Sequence, residues 1–180
     1  QIGALTGPLF VAAALARSGS YRNGFALLAI PAALALVALL AAWRTLPRPE
    51  ELEPRGGSLE GRFLPRAFWL YAGACGLMAA GFVDFALIAY HLKRAAQAPD
   101  VSIPLLYALA MGVDAVAALA FGRMFDRFGV AVLMLGAALA AGATPLLYLG
   151  GFRAAVVGMA LWGAALGAQE SIVRAAVAGF

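Results

Sequence analysis

Charge is what this 180-residue chain has least of: 12% of its residues are Asp, Glu, Lys or Arg, against about a quarter in an ordinary soluble domain. Cysteine and histidine occur once each, as Cys75 and His91. A single thiol excludes an internal disulfide, and one Cys with one His is too few for a metal site of the usual kind. Cys75 falls inside an apolar run and reads as a small core residue. There is no Gly-x-x-x-x-Gly-Lys loop, which excludes a P-loop ATP-driven step. There is no Gly-x-Ser-x-Gly elbow or other nucleophile–base set, so no enzyme and no cofactor are expected. Basic patches interleaved with aromatics are missing too, and no nucleic-acid partner is expected. No secretory leader is visible: the chain starts at Gln1, without Met and without a basic n-region, and the expectation is that it is cut from a longer protein.

What the chain has in abundance is apolar sequence. It is 64% hydrophobic, with a mean hydropathy of +0.89. A soluble fold of this size has too little interior to hide so much apolar surface, so the bilayer is the expected solvent. A spanning helix needs about 20 mostly apolar residues. Six runs meet or approach this length: residues 1–16, Gly24 to Trp43, Ala67 to Leu92, Ile103 to Phe121, Val130 to Leu149, and Arg153 to Val177. Nothing alternates in polarity as barrel strands do, so the expected class is an all-α membrane protein. Pro8, Pro31 and Pro145 fall inside runs and are expected to kink their helices.

One connection differs from the rest. Residues 44–66 read RTLPRPEELEPRGGSLEGRFLPR, rich in Pro, Gly and charge of both signs. That composition suits a surface linker between two helical bundles, residues 1–43 on one side and 67–180 on the other. The net charge of +4 is explained by loop bases. Arg44, Arg48, Arg55, Arg62 and Arg66 flank or fill the linker, with Arg123 and Arg127 on the same side. Arg17, Arg22, Lys93, Arg94 and Arg153 lie on the other. The bias places the linker in the cytoplasm.

Between the fourth and fifth runs stands GRMFDRFG, Gly122 to Gly129. From the residues alone it is a tight charged turn, with Gly129 able to supply the positive φ that reverses a chain. Gly-x-x-x-Asp-Arg-x-Gly in a short loop between spans also resembles the cytoplasmic signature of the major facilitator superfamily of secondary transporters. The match is carried by Gly122, Asp126, Arg127 and Gly129. It departs afterwards, where Val130 and Ala131 replace the two bases often found in that family. A second element, Gly3-Ala-Leu-Thr-Gly7-Pro8, resembles the Gly-x-x-x-Gly-Pro of the fifth helix of exporters in the superfamily, where small residues let helices approach closely. The resemblance implies six transmembrane helices of a twelve-helix, two-bundle fold, here as a fragment covering helices five to ten. The closing GAQESIVRAAVAGF is similar to a bacterial branch of the same superfamily.

Polar residues inside spans are costly and mark cavities or partners. Asp114 lies eleven residues into the fourth run, about 16 Å deep at 1.5 Å per residue. That is near the midplane, where transporters bind cargo and coupling ions. It reads equally as a proton-coupling carboxyl or as a protonated or hydroxyl-paired structural one. Asp84, in the outer part of the third run, reads as an outer-gate residue or a partner for a surface base; His91 reads as interfacial. Glu170 and Arg174 are four apart, acid first, the favourable order for an ion pair. They read as an inner-gate or structural pair near the cytoplasmic surface, grouped with Arg123 and the signature. The resemblance adds Gln169 and Tyr71 as cavity contacts, whereas Gly163 and Gly167 read as packing residues.

The resemblance further implies alternating access in a bacterial inner membrane, with protons and a small molecule as partners, besides the lipid bilayer and the remaining helices of the full-length carrier. Proton-coupled efflux is the first expectation. Import by symport, or a non-transporting membrane scaffold with the same fold, are the alternatives. An apolar cavity with few charges suits an amphiphile.

Overall fold

The computed structural model describes residues 2–45 and 66–178, without the side-chain surroundings of residues 2, 67 and 173–178. Residues 46–65 of the expected linker, with its bases Arg48, Arg55 and Arg62, therefore lie outside the described residues, as does the side chain of Arg174. Among the described residues seven α-helices follow one another: α1 (Ile2–Ser18), α2 (Tyr21–Thr45), α3 (Arg66–Gly81), α4 (Phe85–Arg94), α5 (Ser102–Phe128), α6 (Val132–Leu149) and α7 (Phe152–Ala178). Among the described residues there is no strand.

Three described stretches are long and apolar enough to cross a membrane: Tyr21–Thr45, Phe68–Arg94 and Ser102–Leu149, the last containing α5 and α6. Along α2, Leu34, Val37, Leu39 and Trp43 are all exposed. An apolar helix bare on several faces suits lipid rather than water. Pro8, Pro31 and Pro145 stand inside α1, α2 and α6, whose helical assignment continues past each.

The core forms around α7, which packs against both α5 and α6, while α1 joins α5 to α2. One apolar cluster gathers Ile88 and Leu92 of α4, Leu106 and Met111 of α5, Leu147 of α6, and Met159 and Trp162 of α7. A second gathers Phe121, Val132, Ala168 and Ile172 towards the other end. Glycines set the spacing. A Cβ on Gly158 would stand 2.9 Å from Leu147, and one on Gly136 2.9 Å from Ala168. The contacts run in opposite directions, so α6 and α7 are antiparallel. Gly163 faces Ala110, Gly167 faces Asp114 and Ser171 faces Gly122, so α5 and α7 are parallel.

Two expectations are corrected. The third run is not one helix: it breaks between Gly81 and Phe85. Asp84 has an extended backbone (φ −72°, ψ 143°), and its Oδ1 accepts the Ala86 N–H at 3.1 Å. That N-cap starts α4 afresh. The break frees the Val83 carbonyl, which accepts the Trp162 Nε1–H at 2.8 Å. GRMFDRFG is likewise not a loop. Gly122 to Phe128 continue α5, and only Gly129 turns the chain, with φ +64°. Arg and Met are good helix formers and no proline intervenes, so the helix runs on past the apolar run and carries its charges with it.

Candidate functional site

Asp114 is the only charged residue buried among the described residues, with 0% of its surface exposed. It stands about 18 Å along α5 from Ser102, at 1.5 Å per residue, and so near the helix middle. Ala110 on the turn before it and Ala117 on the turn after it are buried too. Across the seam α7 presents Gly167. A Cβ there would lie 2.6 Å from the Asp114 carbonyl oxygen and 3.0 Å from its Oδ1. Glycine thus leaves the volume that the carboxyl uses. One turn away Gly163 meets the Ala110 backbone with the same intimacy, and Gly122 meets the Ser171 Oγ. A ladder of small residues at four-residue spacing brings α5 and α7 into backbone contact. Gly163 and Gly167 are packing residues, as the sequence reading has them.

The chemistry of this seam follows from its dryness. A carboxyl between two closely packed helices interacts with their backbones in a low-dielectric space. Any change in its charge therefore changes the energy of the α5–α7 contact. Such a group is suited to linking a proton to a helix movement.

The other candidates are scattered. Asp84 is exposed and caps α4. Tyr71 is buried in α3 and hydrogen-bonded to Cys75 one turn on. Gln169 is half-buried on α7, with Oε1 shielded from solvent and no hydrogen-bond partner. It stands two residues beyond Gly167, about 200° around the helix, so it does not face Asp114. At the end of α5, Arg123, Asp126 and Arg127 are exposed. Arg123 donates to the Leu119 carbonyl at 3.2 Å, and the Arg127 guanidinium lies 5.5 Å from the Phe128 ring. Gly129 closes the helix by donating to the Phe125 carbonyl. Glu170 is half-buried and adjoins Ser171, which brings it level with Gly122.

The Gly3–Gly7–Pro8 element differs from expectation. A Cβ on Gly3 would meet nothing within 4 Å, and one on Gly7 only Leu28 at 4.0 Å. Among the described residues no helix closes on these glycines. With Pro8 they line an apolar cavity of about 540 Å³ bounded by α1, α2, α4 and α5. Small residues make room in this structure rather than a contact. Sequence reasoning missed this cavity and the polar group at its rim, where Lys93 Nζ lies 3.3 Å from Asp100 Oδ1 and 5.1 Å from the Tyr21 ring centroid. The Tyr21 hydroxyl donates to the Asp100 carbonyl at 3.1 Å.

The sequence profile of the Major Facilitator Superfamily matches residues 1–180. The chain belongs to the major facilitator superfamily. Members of this superfamily are membrane transporters, not enzymes. Among similar curated proteins are one from Mycobacterium bovis (strain ATCC BAA-935 / AF2122/97) and one from Mycobacterium tuberculosis (strain ATCC 25618 / H37Rv). Each is 36% identical over 190 residues, covering 99% of this chain and 45% of the relative. Both bear the name uncharacterized protein, which assigns no cargo. The chain spans a little under half the length of these curated relatives. No solved structure matches it.

Proposed function

We propose that the chain is the middle of a secondary transporter that works by alternating access and expels a small molecule in exchange for protons. In this reading it supplies helices five to ten of twelve, crossing a bacterial inner membrane six times. Residues 1–43 end the first bundle, 44–66 form the cytoplasmic linker and 67–180 begin the second bundle.

The observation that carries the reading is Asp114. A carboxyl buried at the middle of α5, against a glycine of α7, is costly to a merely structural protein and useful to a proton-coupled one. Its proton exchange alters the α5–α7 seam, and the seam transmits the change towards Gly122 and Ser171. There Asp126, Arg127 and Glu170 act in a cytoplasmic latch with Arg123 and Arg174, which opens and closes as the bundles rock. Gln169 and Tyr71 face the cargo from α7 and α3; the shielded, unpartnered Gln169 Oε1 supports that role.

Cells expressing the full-length protein test this with a panel of fluorescent amphiphiles. Efflux predicts lower accumulation of at least one compound, reversed by a protonophore. Higher accumulation would show import. No change across the panel would leave the scaffold.

A further inference from the structure

The apolar cavity between α1, α2, α4 and α5 is built from two separate segments of the chain, residues 3–28 and 85–107. Gly3 and Gly7 open one wall, Phe25 and Phe85 stand on two others, and Tyr107 belongs to the fourth. Its volume of about 540 Å³ falls in the range of small-molecule sites, roughly 300–1,000 Å³. Among the described residues Lys93 is the one charged residue of the lining, and no acid lines the cavity. The same end of the molecule carries Arg17 and Arg22 at the α1–α2 turn and Arg94 at the end of α4. The Tyr21–Asp100 hydrogen bond ties that turn to the α4–α5 connection.

Lys93 has a partner, Asp100, but both side chains are about half exposed. An ion pair so open to water is weak and readily exchanged. An anion arriving from the cavity side can take the place of the Asp100 carboxylate on Lys93. Apart from the hydroxyls of Tyr21, Tyr90 and Tyr107, the rest of the described lining is hydrocarbon and aromatic surface. We infer that this cavity is a binding site for a single-chain anionic amphiphile, whose head pairs with Lys93 and whose hydrocarbon lies against Gly3, Gly7, Phe25 and Phe85. As the cargo class of the transporter this rests on the reading above; as a binding site it does not.

The full-length protein in lipid nanodiscs is labelled with a photoreactive analogue of laurate. Laurate, dodecanol and dodecyltrimethylammonium compete, and mass spectrometry locates the label. The expected result is labelling of α1, α2, α4 or α5 that laurate suppresses better than either competitor. Gly7→Phe fills the cavity and abolishes labelling. Lys93→Gln weakens laurate about tenfold, as loss of one charge-assisted contact does, and leaves dodecanol unchanged. Asp100→Asn removes the competing carboxylate and tightens laurate. A purely structural Lys93–Asp100 pair predicts no such gain. Arg22→Gln removes an equal charge outside the lining and leaves affinity unchanged; weakening equal to that of Lys93→Gln would reduce the effect to surface charge and overturn the site. Equal competition by all three compounds, or labelling that survives Gly7→Phe, overturns it too. Absence of any labelling means that other helices of the protein fill the cavity, which also overturns it. Lost binding with amphiphile efflux intact retires the site alone. Intact binding without any efflux retires the carrier reading alone.

Discussion

Gly167→Ala puts the close packing around Asp114 to the test. The new methyl would stand 2.6 Å from the Asp114 carbonyl oxygen, 2.9 Å from the Ala118 nitrogen and 3.0 Å from Asp114 Oδ1. Two of these are backbone atoms of a helix, which do not step aside singly. To reach an ordinary 3.4 Å contact, α7 must retreat from α5 by about 0.8 Å. The same retreat loosens the Gly163–Ala110 and Gly122–Ser171 contacts on that seam. Overpacking of this kind costs about 1–3 kcal/mol, and the better helix propensity of alanine returns about 0.5–1 kcal/mol. The expected net loss is thus on the order of 1–2 kcal/mol. Gly142→Ala is the control, because a Cβ at Gly142 in α6 meets nothing within 4 Å and only the propensity gain remains. The assay is unfolding of the full-length protein in mixed micelles as the fraction of dodecyl sulfate rises, followed by circular dichroism. If Gly167→Ala is as stable as Gly142→Ala, α5 and α7 do not approach as described and the buried seam around Asp114 is wrong.

Other substitutions separate structural from functional roles. Asp84→Ala should lose about 1 kcal/mol with the α4 cap, while Asp84→Asn, an equally good cap, should change neither stability nor transport; lost transport in Asp84→Asn would give that carboxylate a gating role. Trp162→Phe keeps ring contacts with Phe82 and Phe85 but strips the Val83 carbonyl of its donor. That loss should cost about 1–3 kcal/mol in the same unfolding assay. Gly129→Ala places a side chain at φ +64°, ψ −151°, a region nearly confined to glycine, and should cost about 1–3 kcal/mol. A neutral result there would mean that the α5–α6 turn has another geometry.

Helices over most of the chain were legible because apolar runs of spanning length have few other solutions, and α2, α6 and α7 lie within a few residues of their expected bounds. The burial of Asp114 was legible as a carboxyl in the middle of such a run. Its partner was not: Gly167 is 53 positions away, and nothing local to either residue encodes their register. The α3–α4 break did leave a local signal in Asp84, a good N-cap residue, followed by a short segment with His91, Lys93 and Arg94 in its last turn. Overall apolarity masked it. The glycines at residues 3 and 7 were ambiguous in principle, since a missing side chain admits either a neighbouring helix or an empty volume. The Tyr21–Asp100–Lys93 group joins segments about 70 to 80 residues apart and becomes visible only once α1, α2, α4 and α5 are assembled.

The proposed proton coupling rests on Asp114, and the direct test is uncoupler-sensitive efflux by Asp114→Asn and Asp114→Glu at matched levels of folded full-length protein. Asn keeps the shape of the side chain and loses the exchangeable proton; Glu keeps the acid and shifts it. Proton coupling through this carboxyl predicts that Asn abolishes proton-driven efflux without unfolding the protein, and that Glu retains part of it. Efflux by Asp114→Asn equal to that of the parent would contradict it and leave the buried carboxyl a structural one.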